Sequence, residues 1–190
     1  MSLKRITDAV EEALTLNEVK LDLRVSNTAE DSKIAALITA ARHLCQSETG
    51  NLIMPQVWEK TLDNFPEAIE LAVLPVNSIV SVKYIDTAGV EQTLSSVSYQ
   101  LDNAGGYRES WVVPARGYAW PSTDSGINSV KVRFSAGYAD ATLVPAELKQ
   151  WMRLQIGHWF ANRESVIVGA TAIKSDYTDN LIKPYRLYSM

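Results

Sequence analysis

The chain has 190 residues and a mass of 21.0 kDa, the size of one ordinary domain. Hydrophobic residues make up 46% and charged residues 21%, a balance that excludes a wholly disordered or fibrous chain. Lys plus Arg number 18 against 22 Asp plus Glu, a net charge of −4, whereas a general nucleic-acid binder would be strongly basic. Apolar runs fall far short of the roughly 20 residues that span a bilayer. Asp8, Glu11 and Glu12 interrupt the start before any apolar segment, which argues against a signal peptide. The single cysteine, Cys45, excludes an intramolecular disulfide and fits a reducing compartment.

Helical signals lie at the two ends of the chain. Thr15-Leu16-Asn17-Glu18 has the form of a capping box, with Leu16, Val19 and Leu23 following at helical spacing. A short helix is predicted from there to about Arg24. Asn27-Thr28 offers a second cap, and Glu30 and Asp31 suit the positive end of a helix dipole. Ile34, Leu37, Ile38, Ala41, Leu44 and Cys45 then form a stripe that ends at Gly50.

The middle, about 57–135, reads as short strands: 57–65, 79–86, 92–94, 99–102, 110–113 and 130–134. Val80, Val82 and Tyr84 alternate with Ser81 and Lys83. No helix-length pattern separates these strands, so an antiparallel sheet is expected rather than βαβ units. Pro145 then opens the longest predicted helix, 145–166. Leu148, Trp151, Met152, Ile156, Trp159 and Phe160 give it an apolar arc wider than the ~100° stripe of a surface helix. That arc calls for burial from two sides, by this chain or by another subunit. A tail, 167–190, follows and is apolar around Leu181, Ile182, Pro184, Tyr185 and Leu187. The fold class expected is α+β: a small helical bundle of two N-terminal helices and one long C-terminal helix, with an antiparallel β-sheet insertion, in a single domain over 1–190.

Chemistry is hard to find in this sequence. The two histidines, His43 and His158, read as a solvent-facing residue opposite the second stripe and as a half-buried residue flanking Trp159. Cys45 sits on the buried stripe two residues from His43, so the pair points nearly opposite ways and makes a poor nucleophile and base. CxxC, HxxxH, GxxxxGK[ST] and GxSxG patterns do not occur. Glu11/Glu12 and Glu30/Asp31 are neighbours near helix starts and read as solvated dipole partners rather than an acid–base dyad. No catalytic, cofactor-binding or metal-ligating residue is assigned, and no cofactor is expected.

One resemblance spans nearly the whole chain. Thr15-Leu16-Asn17-Glu18-Val19-Lys20 with Leu23-Arg24-Val25 opens it, and Glu48-Thr49-Gly50 closes the second helix. Pro75-Val76-Asn77-Ser78-Ile79, Tyr84-Ile85-Asp86, Tyr99-Gln100-Leu101-Asp102, Trp120-Pro121 and Ala136-Gly137-Tyr138 follow in order. Val144-Pro145, Leu148-Lys149, His158-Trp159-Phe160, Arg163-Glu164 and Pro184-Tyr185-Arg186 complete the set. Together these resemble the head–tail connector (head-completion or neck adaptor) family of tailed bacteriophages and prophages. Ala13-Leu14 departs from the Glu-Pro expected at the start, and residues 169–176 match nothing in the pattern.

The resemblance implies a non-enzymatic structural protein that self-associates into a cyclic ring in the virion neck. Its implied partners are the portal protein and a tail or tail-terminator protein. DNA would pass through without sequence-specific binding, no membrane is involved, and assembly takes place in the bacterial host cytoplasm. Trp151, Trp159, Phe160, Arg163, Leu181, Tyr185 and Arg186 are the expected interface residues. The alternative from a different class is a small phage or bacterial enzyme or ligand-binding module, which would show a closed apolar pocket with converging polar groups. A further alternative is another virion component, such as a tail-terminator or portal-associated subunit.

Overall fold

The computed structural model of the chain describes residues 2–103, 109–162 and 176–187. It divides into two compact units, each assembled from separate stretches of sequence: residues 1–10 with 55–139, and residues 11–54 with 140–190.

The first unit is built of strands. Its five-stranded antiparallel sheet has the order β1-β2-β8-β4-β5, from β1 (Ser2–Thr7), β2 (Gln56–Leu62), β8 (Val130–Ala136), β4 (Val76–Ile85) and β5 (Glu91–Leu94). A three-stranded sheet has the order β3-β7-β6, from β3 (Ile69–Glu70), β7 (Trp111–Pro114) and β6 (Tyr99–Asp102). The period of two is cleanest in β8, where Val130, Val132, Phe134 and Ala136 are buried and Lys131, Arg133 and Ser135 are not. Opposite them on β2 stand Leu62, Lys60, Trp58 and Gln56, so a lysine lies on the core face. The Lys60 ammonium donates to the Glu70 carbonyl of β3. Burial pushes its pKa down, partly opposed by the Glu70 carboxylate. Outside the strands, Phe65 stacks on Trp120 with centroids 4.7 Å apart and meets Tyr84 edge-on at 5.8 Å.

The second unit is helical: α1 (Leu16–Leu23), α2 (Asp31–Thr49), α3 (Ala146–Ala161) and α4 (Asp176–Ile182), with a 3-10 turn over Lys183–Tyr185. Both bonds of the Thr15–Glu18 capping box are present at the start of α1. Hydrogen bonds with Thr15 hold the Glu18 carboxyl below the usual carboxylate range, helped by Arg153. Gly50 ends α2 at φ 75°, a left-handed conformation that an L side chain resists. The core of this unit joins Ile34, Ile38, Ala41 and Cys45 of α2 to Leu148, Trp151, Met152 and Ile156 of α3.

The expected arrangement of two N-terminal helices and one long C-terminal helix around a sheet insertion does not hold. Among the described residues there are four helices and eight strands in two antiparallel sheets. The larger sheet takes its edge strand from residues 2–7, ahead of every helix. That strand carries no readable alternation, because five of its six residues are exposed. Helix α4, at seven residues, is too short for a helical period to be seen. The helix expected over 145–166 as the longest is described over Ala146–Ala161, 16 residues against the 19 of α2. The alternation read around Val80 is also corrected. The ladder with β8 skips a residue between Ile79 and Ser81, so Val80 is the extra residue of a bulge and is exposed.

Candidate functional site

The residues singled out in the sequence fall on α3, α4 and the turn that follows. Trp151 is buried at 5% exposure, packed within its own unit. Trp159 is half-buried, one turn beyond the buried face formed by Leu148, Met152 and Ile156, and so is not in the centre of the core as the arc implies. Phe160 is half-buried too, with the Lys33 ammonium of α2 4.6 Å from its ring centroid. Leu181 is half-buried beside the buried Ile182. Arg163 lies outside the described residues.

Tyr185 and Arg186 are engaged inside the helical unit. The Tyr185 hydroxyl donates to Glu147 at 3.0 Å. Arg186 donates to both carboxylate oxygens of Asp179, at 2.7 and 3.2 Å, and to Glu48 at 3.2 Å. These carboxylates, Asp179 foremost, push the guanidinium pKa up. The Leu187 amide donates to the Thr49 carbonyl at 2.8 Å, and the Leu187 side chain sits where a Cβ on Gly50 would point. The segment after α4 is thus clamped onto the C-terminal end of α2 by Arg186 and Leu187, and tied to α3 by Tyr185.

The titratable candidates stand apart from one another. Burial pushes the Cys45 thiol up to about 12, with Glu48 adding to the rise, so it is an inert core group. His43 is half-buried with a partner of its own, where a solvent-facing position was expected. His158 is exposed and its Nδ1 lies 3.2 Å from the Asn162 amide nitrogen, where partial burial was expected. Among the described residues no group of three or more His, Cys, Asp and Glu is placed to hold a metal ion. No helix among them is long and apolar enough to cross a membrane. An open depression of about 660 Å³ is lined by Pro66, Glu67, Ala68, Val113 and Pro114, with Glu67 its one ionisable residue.

The surface also shows apolar groups that pattern reading missed. Val10 is 94% exposed, Ile127 81% and Leu21 79%. Val97 and Leu143 are more than half exposed. Val10, Ile127 and Leu143 lie between elements, Val97 in a three-residue 3-10 turn and Leu21 on the outer side of a short helix, where periodicity carries no signal. Scattered single apolar residues are ordinary on a protein surface; these occur in both units.

No protein-family model matches the chain, and no curated protein does. Solved structures do match. One is the virion of a native gene transfer agent particle, in which a chain 21% identical aligns with a TM-score of 0.81. A second is the neck of an empty particle of this kind computed with C6 symmetry, with 22% identity and a TM-score of 0.79. A third is the neck of a native particle computed with C12 symmetry, with 22% identity and a TM-score of 0.74. In each case the alignment covers 100% of this chain and 97% of the other. Both units, in their order along the chain, therefore have counterparts in the fold of single chains from gene transfer agent particles.

Proposed function

We propose that this chain is a non-enzymatic structural protein of a phage-like particle, a ring-forming connector between portal and tail. The observation that carries the reading is the end-to-end fold match, two units and all three chain crossings, to chains in particle necks. Those necks are described with C6 and C12 symmetry, and a cyclic ring of this chain is the corresponding assembly. A heterologous interface, one patch meeting a different patch on the next copy, closes into such a ring when its rotation divides the circle. In this reading the whole of 1–190 acts as one connector-like module, located in the virion neck and assembled in the host cytoplasm.

Trp159, Phe160 and Leu181 are the interface residues that remain available, since each is half-buried in a single copy. Trp151 supports them from the core, and Tyr185 and Arg186 fix the segment after α4 so that it presents one shape. The net charge of −4 suits a bore through which DNA slides without sticking. Portal above and a tail or tail-terminator protein below are the proposed partners. Deleting the gene from a particle-producing strain tests this directly. The expected result is filled heads and free tails that fail to join, with joining restored by the wild-type gene. Normally tailed particles from the deletion strain overturn the reading.

A further inference from the structure

Strand β1 is an edge strand whose chain continues into the other unit. It pairs with β2 alone, in the register Ser2↔Thr61, Leu3↔Lys60, Lys4↔Glu59 and Arg5↔Trp58. None of its side chains is fully buried; Leu3 is half-buried and the other five are exposed. The chain then leaves the sheet unit at Val10 and enters the helical unit, where it is fixed at once. Glu12 accepts from the Thr39 hydroxyl and from Arg42 Nε, both at 2.8 Å, and Ala13 and Leu14 are buried. Between β1 and that anchor lie Asp8, Ala9, Val10 and Glu11, with Val10 94% exposed. The covalent path from β1 to the rest of its sheet therefore runs through the other unit, and the ladder with β2 is what makes the strand part of that sheet.

Strand β2, by contrast, requires a neighbour on that side. An uncovered edge leaves a row of unpaired amides and carbonyls, here beside Trp58, whose ring nitrogen is buried, and the desolvated Lys60. Any strand with the sequence of β1 meets the need equally well, in the same register and with the same Lys4–Glu59 opposition. The far side of β1 is guarded: Lys4, Arg5 and a bulge between Arg5 and Thr7 discourage a further strand from adding there.

We propose that β1 is an exchangeable strand, and that in the assembled state β1 of one copy pairs with β2 of the next. Each copy gives one strand and receives one, a head-to-tail exchange whose contacts are identical to those within a single copy. The four hinge residues span at most about 14 Å, which limits how far away the accepting edge lies. The exchange deepens the connector reading by naming the contact that links neighbours, and its closure into a ring rests on that reading.

The test uses two versions of the full chain, both carrying Cys45→Ala. One has Ser2→Cys and the other Thr61→Cys, two uncharged residues that face each other across the ladder. The versions are co-expressed, assembled and treated with a short bis-maleimide. Covalent heterodimers should form at least tenfold above a control with Ser125→Cys in place of Thr61→Cys. Deleting Ala9 and Val10 shortens the hinge without touching a ladder contact and should raise the heterodimer fraction severalfold. Heterodimers at the control level, with a Ser2→Cys/Thr61→Cys double variant linking only within one chain, overturn the exchange. Native mass spectrometry of the same samples reads ring formation separately. Rings with only intrachain links overturn the exchange and leave the connector reading standing. Interchain links in open oligomers sustain the exchange and overturn the ring. Monomers with only intrachain links overturn both.

Discussion

The two units hold themselves together by different means. In the sheet unit, Lys60 apart, the charges pair on the outer face: Arg133 donates to Glu59 at 2.7 Å, and Lys83 and Lys131 share Glu91 at 2.9 and 3.3 Å. Such exposed pairs contribute at most about 1 kcal/mol each, and the burden falls on Val82, Val130, Val132 and Phe134, all fully buried. In the helical unit, charges sit at the joints between elements. Arg42 of α2 is 2% exposed and holds Glu12 of the entering segment; Lys20 of α1 meets Asp31 of α2; Arg186 ties the last segment to α4 and α2. Apolar packing thus fixes the sheets, whereas polar pins fix the places where the helical unit receives and ends its chain.

The largest effects should come from the apolar cores. Phe134→Ala in the sheet unit and Trp151→Ala in the helical unit should each cost about 3–5 kcal/mol, read by urea unfolding. Arg133→Ala, beside Phe134, should cost under about 1 kcal/mol. Trp159→Ala should cost clearly less than Trp151→Ala, since its side chain is only half-buried. An Arg133→Ala variant as damaged as Phe134→Ala would erase the contrast between core and surface.

Next come the pins. Breaking a fully buried ion pair costs about 3–5 kcal/mol, and Glu12, with 27% of its side chain exposed, lowers that figure. Glu12→Gln should cost about 2–3 kcal/mol, and more than Arg42→Met, because it deprives the deeper charge of its carboxylate. Equal and small effects from both variants in thermal melts would show that the joint is held by packing alone.

Gly50→Ala should cost about 1–2 kcal/mol for the left-handed backbone, together with displacement of Leu187. Limited proteolysis should then cut after residue 182 faster than in the wild type. An unchanged cleavage rate contradicts the clamp.

Thr15→Ala should cost about 1 kcal/mol through loss of the cap. The folded Glu18 carboxyl is held below its ordinary value, so the stability it contributes is present above the usual carboxylate pKa of about 4.3. It is lost as pH falls through the lowered folded value. The gap between Thr15→Ala and wild type in thermal melts should therefore be constant near neutrality and shrink under acid. A gap that widens in acid reverses the assigned sign.

Legibility in the sequence followed the same division. Capping chemistry is local, so Thr15–Glu18 and Gly50 place the ends of α1 and α2 within a residue or two. Strong alternation in Val130–Ala136 marks a central strand whose two faces differ. What escaped reading was set by distant partners. β1 becomes a strand only because β2 offers an edge, and no pattern in Ser2–Thr7 announces it. The bulge at Val80 shifts the phase of a strand whose sequence alternates plausibly without it. Arg186 looks like a free rim charge until Asp179 and Glu48 are seen around it. Half-buried Trp159, Phe160 and Leu181 were legible as apolar positions, yet their exposure depends on where α3 meets α2 and α4, which no single helix encodes.

The central claim is that copies of this chain close into a ring, and native mass spectrometry across a concentration series measures it most directly. The account predicts one discrete high-mass species with a fixed copy number, growing at the expense of monomer as concentration rises or as portal protein is added. A monomer at every concentration with and without portal, or an open-ended ladder of oligomers with no preferred size, contradicts it.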